Sequence, residues 1–359
     1  MRIDWLQIEN VRNLTNVKIQ PSGSINIITG PNASGKTTIL EAIFTLSRAK
    51  SFRTPRVNEI IQHHKPSFLV TAGIRYSDKG LINTGIQRSH GKTVIHHNGA
   101  TMKTISEQAK NIPLVLVTPD THNLLMGAPR QRRHWLDWAM FHVEHGYLDE
   151  WKDYHKALRQ RNNLLKNGKY SSDDLSGWEK VMTQTGMRIT EKRRKILKEI
   201  EAHTKKLGEG LFNYDPDISL YGGWPENKPL ADTLKENRET DRLRGHTQFG
   251  IHRADIEFRA GKHSMAAVCS RGQAKLFIVV LLIAQARVTE VATQEKSLYL
   301  MDDYAAEIDL DTRDRIIELF LNQKIQVFLT ATEQGLKNMR DSDMKMFHVE
   351  RGEVVKVVE

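Results

Sequence analysis

The chain has 359 residues, 39% hydrophobic and 27% charged, which supplies a large core and exceeds the usual size of one compact domain, so two lobes are expected. No apolar run reaches the ~18 residues of a membrane span, and the N-terminus, Met1-Arg2-Ile3-Asp4-Trp5, carries an acid and no apolar signal core, so a cytoplasmic location is expected. A single cysteine, Cys269, excludes an internal disulfide and a cysteine-built metal cluster, and a net charge of +10 favours a polyanionic partner.

Residues 1 to about 118 read as strand-rich. Ile3–Ile8 and Ser24–Ile28 are strands, a Gly-rich loop follows, and Thr38-Ile39-Leu40-Glu41-Ala42-Ile43 opens a helix. From Phe68 to Met102 the pattern predicts an antiparallel meander with turns at Asp78-Lys79-Gly80, His90-Gly91 and Asn98-Gly99. The pairs His63-His64 and His96-His97 read as strand positions on opposite faces, hence surface residues rather than ligands. From about 121 to 206 the apolar spacing is helical, as in Trp135-Leu136-Trp138-Ala139 and Ile189-Ile196-Leu197-Ile200. Gly208 to Gly250 is rich in turn residues and gives no clear element. Strands and helices return from Ile256, with a long helix from Ala274 to Val291 and a final strand pair around Phe347 to Val358.

The loop Gly30-Pro31-Asn32-Ala33-Ser34-Gly35-Lys36-Thr37 fits G-x-x-x-x-G-K-[ST] and lies between a buried strand and a helix, the context that this phosphate-binding motif requires. Its glycines let successive N–H groups turn toward a phosphate, and the helix N-terminus adds partial positive charge. Lys36 is the cation for β- and γ-phosphates, and Thr37, followed by Thr38, carries the hydroxyl for Mg²⁺. The acidic partner comes 265 residues after Thr37, where Leu298-Tyr299-Leu300-Met301 ends in Asp302-Asp303, a Walker B pattern. Asp302 is expected in the Mg²⁺ shell, and Asp303 where many ATPases keep the acid that orients the attacking water. So long a separation implies a large insert, and the helical stretch is the candidate.

Cys269-Ser270-Arg271-Gly272-Gln273 precedes the helix leading to Walker B, the order in which ABC-type ATPases place the signature that caps a γ-phosphate bound by the opposite subunit. Ser270, Arg271, Gly272 and Gln273 are therefore expected to act in trans. After Walker B, Glu307 and Asp309 fall in the D-loop, and Val327-Phe328-Leu329 forms a strand leading to Thr332, near the switch position.

Taken together, these motifs resemble the RecF family of bacterial recombination mediators over nearly the whole chain. Pro119-Asp120 through Gly127-Ala128-Pro129 and Arg132-Arg133-His134-Trp135-Leu136-Asp137 is similar to the family signature. So are Gln160-Arg161-Asn162-Asn163-Leu164-Leu165-Lys166, Gly250-Ile251-His252-Arg253-Ala254-Asp255 and Met301 to Asp309. The chain departs from the family pattern in several places. Ala33 replaces a glycine, which is compatible with the loop if that position avoids positive φ. Ile251 and Ala254 replace a proline and an aspartate, so no chemistry is assigned to Asp255. No glutamine stands at the Q-loop, near Thr118 or Pro119, and no histidine stands at the switch, which points to slow hydrolysis.

The resemblance implies an α/β fold, an ABC-type P-loop ATPase head (mixed sheet with antiparallel β meander) with an inserted α-helical arm lobe. The expected boundaries are 1–120 for the N-terminal half of the head, 121–245 for the arm and 246–359 for the C-terminal half. It further implies ATP and Mg²⁺ as cofactors, weak DNA-stimulated hydrolysis, an ATP-dependent homodimer, and binding of duplex and single-strand/double-strand junction DNA. RecR, with RecO and RecA in the pathway, is the expected partner. Arg188 to Lys206 holds eight Lys/Arg against three acids, and Arg130, Arg132 and Arg133 form a second cluster. Arg132, Arg133, Lys192, Arg193, Arg194, Lys195 and Lys198 are accordingly the candidate DNA contacts. The alternatives are other ABC-type ATPases. The oversized insert, the charge and the absent histidine argue against a transporter subunit, and the 57 residues after Asp302 leave little room for a nuclease domain.

Overall fold

The computed structural model describes residues 1–102, 104–168, 171–304, 308–331 and 344–358. They form two compact units, a head of Met1–Thr121 with Gln294–Glu359 and a lobe of His122–Thr293.

The head begins with a hairpin of β1 (Arg2–Val11) and β2 (Leu14–Ile19), then β3 (Ile25–Thr29) and α1 (Lys36–Arg48). The meander follows as β4 (Ser67–Tyr76), β5 (Gly80–Ser89), β6 (Lys92–His97) and the short β7 (Ala100–Thr101), then α2 (Ile105–Asn111) and β8 (Leu114–Val117). The predicted turns are present. At the Asn98-Gly99 turn both residues have positive φ, 52° and 79°, the geometry whose twist matches a tight hairpin. His96 and His97 lie on a strand as expected, but His63 and His64 occupy a turn in which His64 has φ 62°.

The chain then builds the lobe: α3 (Asn123–Met126), α4 (Pro129–Val143), α5 (Tyr147–Asn167) and the 37-residue α6 (Ser172–Gly208). The segment without a clear sequence pattern forms β9 (Pro216–Tyr221), α7 (Leu230–Glu236) and α8 (Arg238–Arg244). After it come β10 (Asp255–Ala260), β11 (His263–Ser264), α9 (Met265–Val268) and α10 (Arg271–Thr293). Strand β10 pairs antiparallel with β9 across six residue pairs, and α10 packs along α6 and α4. These contacts tie residues 246–293 to the lobe, so the second boundary falls at 293/294 rather than 245/246. Helix α10 has the length and composition of a membrane span (mean hydropathy 1.8), yet 72% of that stretch is buried inside the protein. Its Gln285 amide donates to the Trp135 carbonyl at 2.5 Å, so even its interior polar group is satisfied within the lobe.

The head resumes with β12 (Leu298–Met301), α11 (Leu310–Gln323), β13 (Val327–Thr330), β14 (Met344–Glu350) and β15 (Glu353–Val358). Its strands form two six-stranded sheets, β2-β1-β4-β5-β6-β7 and β15-β14-β3-β13-β12-β8. The first is antiparallel and the second parallel except for β15. Every residue of β3, β12 and β13 is buried, as a parallel sheet covered on both faces demands. Ile39, Leu40, Ile43 and Leu46 of α1 share one core cluster with Phe68 and Val70 of the first sheet and Leu300 and Phe328 of the second. Strand β13 lies between β3 and β12, which sets the ends of the phosphate-loop strand and the Walker B strand two positions apart in one sheet.

Candidate functional site

At the carboxyl end of the parallel sheet the head holds a cavity of about 640 Å³, a size common for ligand sites. The loop supplies Asn32, Ala33, Gly35, Lys36, Thr37 and Thr38, and the facing strands supply Asp302, Asp303, Thr330 and Ala331. Gly30 and Gly35 have φ of 138° and 121°, which side-chain-bearing residues avoid, and a Cβ at Gly30 would overlap the Val349 carbonyl. Ala33 has φ 63°, so this position does take the left-handed conformation and alanine accommodates it at a cost of about 1 kcal/mol.

Thr37 and Asp302 meet as the sequence predicts: the Thr37 hydroxyl donates to Asp302 Oδ1 at 2.9 Å. The Thr330 hydroxyl donates to the same oxygen at 2.7 Å and accepts the Asp303 N–H at 2.7 Å. Asp303 is exposed and has φ 50°. The Lys36 ammonium donates to the carbonyls of Gly30 (2.7 Å) and Pro31 (2.8 Å) within its own loop. Partial burial lowers its pKa from the usual value, and Asp303 and Asp302 offset part of that shift. Helix α1 starts at Lys36 without a side-chain cap, which leaves its first amides for another acceptor. Ser34 Oγ is buried and has no hydrogen-bond partner. An orphaned hydroxyl, an uncapped helix start and a cation in one glycine-bounded loop fit a phosphate-bearing ligand.

The sequence did not single out several residues that shape this site. Arg12 and Asn13 lie in the β1–β2 turn and line the cavity with Arg53. The Asn13 amide donates to the carbonyls of Ser34 (3.0 Å) and Ala33 (3.3 Å), and its oxygen accepts from the Thr38 hydroxyl at 3.2 Å. On the loop's other side, the Gly352 N–H donates to the Ser34 carbonyl at 2.9 Å. Fully buried Glu41 receives the Arg12 guanidinium through both oxygens, at 2.5 and 2.8 Å, with Arg53 3.5 Å away. An acid inside the apolar run Ile39-Leu40-Glu41-Ala42-Ile43 was the signal for such a pair.

The signature residues lie in the lobe. Ser270 and Gln273 form a capping box at the start of α10: Ser270 Oγ accepts the Gln273 N–H at 3.2 Å, and the Gln273 side chain accepts the Ser270 N–H at 2.9 Å. Both are exposed, as is Arg271, while Gly272 is half-buried. Asp309 caps α11, accepting from the Thr312 N–H at 2.8 Å and its hydroxyl at 3.0 Å. Glu307 and Thr332 lie outside the described residues.

Three candidate DNA contacts are corrected. Arg132 is buried and grips Asp255 with two nitrogens, at 2.7 and 3.0 Å. Arg193, 3% exposed, holds Asp137 at 2.6 and 3.1 Å. Arg133 is turned inward and donates to the Ala254 carbonyl at 2.7 Å. Half-buried Lys192 pairs with Glu150 at 3.0 Å. Arg194, Lys195 and Lys198 remain on the exposed face of α6.

The other motif residues of the lobe are also structural. Arg161, fully buried, contacts Glu179 (3.0 Å), Asp241 (2.7 Å) and Thr247 (2.8 Å). His252 faces the Tyr154 hydroxyl through Nδ1 (2.9 Å) and the Thr247 carbonyl through Nε2 (3.1 Å), and burial lowers its pKa to about 4. A carbonyl only accepts, so Nε2 carries the proton.

The RecF/RecN/SMC N terminal domain family matches residues 2–355. The chain is 35% identical over 362 residues to the DNA replication and repair protein RecF of Stutzerimonas stutzeri (strain A1501), covering 99% of this chain and 98% of that protein. It is 35% identical over 359 residues to RecF of Azotobacter vinelandii (strain DJ / ATCC BAA-1303), with the same coverage. Among solved structures, the recombination mediator protein RecF-ATPrS of the RecFOR pathway superposes with a TM-score of 0.85 at 25% identity, covering 98% of this chain and 97% of that one. An Smc head bound to the C-winged helix domain of ScpA superposes at 0.56 with 17% identity, covering 100% and 97%.

Proposed function

This chain belongs to the RecF family of DNA replication and repair proteins, and on that footing we propose that it is a slow ATPase that binds DNA as an ATP-sandwiched dimer. The observation that carries the reading is the hydroxyl–carboxylate pair of Thr37 and Asp302, made across 265 residues at the mouth of a glycine-bounded loop. ATP with Mg²⁺ would supply the γ-phosphoryl bond to be hydrolysed. Gly30, Pro31, Asn32, Ala33, Ser34, Gly35 and Thr38 shape the cradle. Lys36 would offer its ammonium to the phosphates, Thr37 and Asp302 would hold the metal, and exposed Asp303 would orient water.

The partner copy completes the site with the start of α10, where Ser270 to Gln273 present a hydroxyl and helix amides. Glu307 and Asp309 form the D-loop, and Thr332 stands at the switch. The lack of a Q-loop glutamine and a switch histidine keeps hydrolysis slow, so the nucleotide times DNA residence rather than driving movement. DNA binding at single-strand/double-strand junctions, cooperation with RecR and RecO in loading RecA, and a cytoplasmic setting are parts of the same proposal. Arg194, Lys195 and Lys198 are the remaining arm candidates for phosphate contact.

The test is binding to gapped, duplex and single-stranded DNA with and without ATP, repeated across salt concentrations. Gapped DNA with ATP should bind tightest, with a steep salt dependence of about −0.9 in log–log slope per phosphate contact. Replacing Arg194, Lys195 and Lys198 by glutamine should flatten the slope without changing ATP affinity. DNA binding indifferent to ATP would contradict the reading, and an unchanged slope would move the DNA footprint off the arm.

A further inference from the structure

Asp302 Oδ1 accepts two hydroxyl protons, from Thr37 and from Thr330. The two donors differ in what else they hold. In the reading of the cavity as a Mg²⁺–nucleotide site, the Thr37 oxygen would give a lone pair to the metal and its proton could stay on Asp302, so the position of this donor would follow the metal. The Thr330 hydroxyl, by contrast, donates to that carboxylate from the neighbouring strand. Thr330 is suited to the task because it is 2% exposed, ends strand β13 directly beside the end of β12, and is β-branched, which restricts its side-chain torsion. Its oxygen is also the acceptor for the Asp303 N–H. That bond spans the residue with φ 50°, a backbone conformation disfavoured for aspartate by about 1 kcal/mol unless its surroundings hold it. The Tyr304 N–H, one residue on, donates to the Thr330 carbonyl at 3.2 Å, so the turn after β12 is tied to this threonine at two points.

We infer that Thr330 is the positioning residue of the site: its hydroxyl holds the Asp302 carboxylate toward the metal while its oxygen sets the backbone that aims Asp303. One atom thereby couples metal retention to the orientation of the attacking water. The Thr330 hydroxyl is engaged with both aspartates, so its loss acts through them. Valine keeps its branched shape and its buried methyl but removes both hydrogen bonds, whereas serine keeps both. This inference rests on the proposed Mg²⁺–ATP reading of the cavity.

The experiment uses the full chain as wild type, Thr330→Val, Thr330→Ala and Thr330→Ser. ATP affinity is measured with Mg²⁺ and with a chelator, alongside turnover and thermal melting. Thr330→Val should bind ATP in chelator within twofold of wild type, lose at least fivefold of the Mg²⁺-dependent gain in affinity, and turn over at least tenfold more slowly. Thr330→Ala should do the same, and Thr330→Ser should recover to within threefold of wild type on both counts. A valine or alanine variant with the wild-type Mg²⁺ gain and turnover would overturn the inference. So would equal losses of affinity with and without Mg²⁺ together with a lowered melting temperature, because that pattern marks a packing role, and so would a serine variant as impaired as valine. If wild type itself gains no affinity from Mg²⁺, the reading of the cavity fails, and the inference with it.

Discussion

The head and the lobe both keep charged side chains away from bulk water, and they do so to different ends. In the lobe, arginines are consumed by the structure: Arg161 is 0% exposed between Glu179 (8%) and Asp241 (1%), and Arg193, 3% exposed, is closed on Asp137. In the head, Glu41 is 0% exposed but its partners are open, Arg12 at 25% and Arg53 at 43%, and both line the cavity. Lys36 rests on two carbonyls rather than on a carboxylate. A buried pair neutralised on all sides is closed to an incoming anion, whereas a cation held by weaker or shared partners stays available to one. A basic residue in a motif is thus not by itself a polyanion contact.

The sharpest way to break the comparison is at Arg161. Arg161→Met removes the ion pair of buried Asp241, while Glu179 keeps Arg238, and should lower the unfolding free energy by about 3 kcal/mol, read as a lower denaturant midpoint, while ATP binding at low temperature persists. A loss below 1 kcal/mol would mean that water reaches the cluster and that the lobe is not closed in this sense.

The next effect is on pH. The folded-state pKa of His252 is about 4, depressed by burial, against an ordinary value of 6.5. Its neutral form is the folded one, so its contribution is fully present above pH 6.5 and is lost as pH falls toward 4, a change of up to about 3 kcal/mol. His252→Gln, which keeps a donor for the Thr247 carbonyl, should flatten the stability profile across that window. An unaltered slope from pH 6.5 to 4 would place the acid sensitivity elsewhere.

The smallest effect lies in the loop. Ala33→Gly relieves a left-handed alanine, offset in part by glycine's greater unfolded-state freedom, and should raise stability by about 0.5 kcal/mol. A lowered midpoint would show that the methyl packs favourably and that φ 63° carries no strain.

How much the sequence revealed follows the same division. The phosphate loop, the Walker B strand and the meander turns were legible because each is a local pattern with one backbone solution: a glycine turn, an apolar run, an Asn-Gly pair. The second domain boundary was not, because β9 lies in a segment without periodicity and is recognised only through its pairing with β10. The arm arginines misled because sequence counts charges but not their partners, and Asp137 lies 56 residues from Arg193. Thr330 and Asn13 make their side-chain hydrogen bonds to segments far away in sequence, which no spacing encodes.

The central claim is that one nucleotide site, built from both ends of the chain, governs self-association. Its most direct test is sedimentation of wild type and Lys36→Ala with Mg²⁺–ATP, with bound nucleotide quantified in the same samples. The account predicts that wild type binds ATP and shifts to a dimer, whereas Lys36→Ala loses at least a hundredfold in affinity, stays as it is without nucleotide and melts as wild type does. A Lys36→Ala protein that binds ATP and dimerises like wild type, or a wild type whose association ignores ATP, would contradict it.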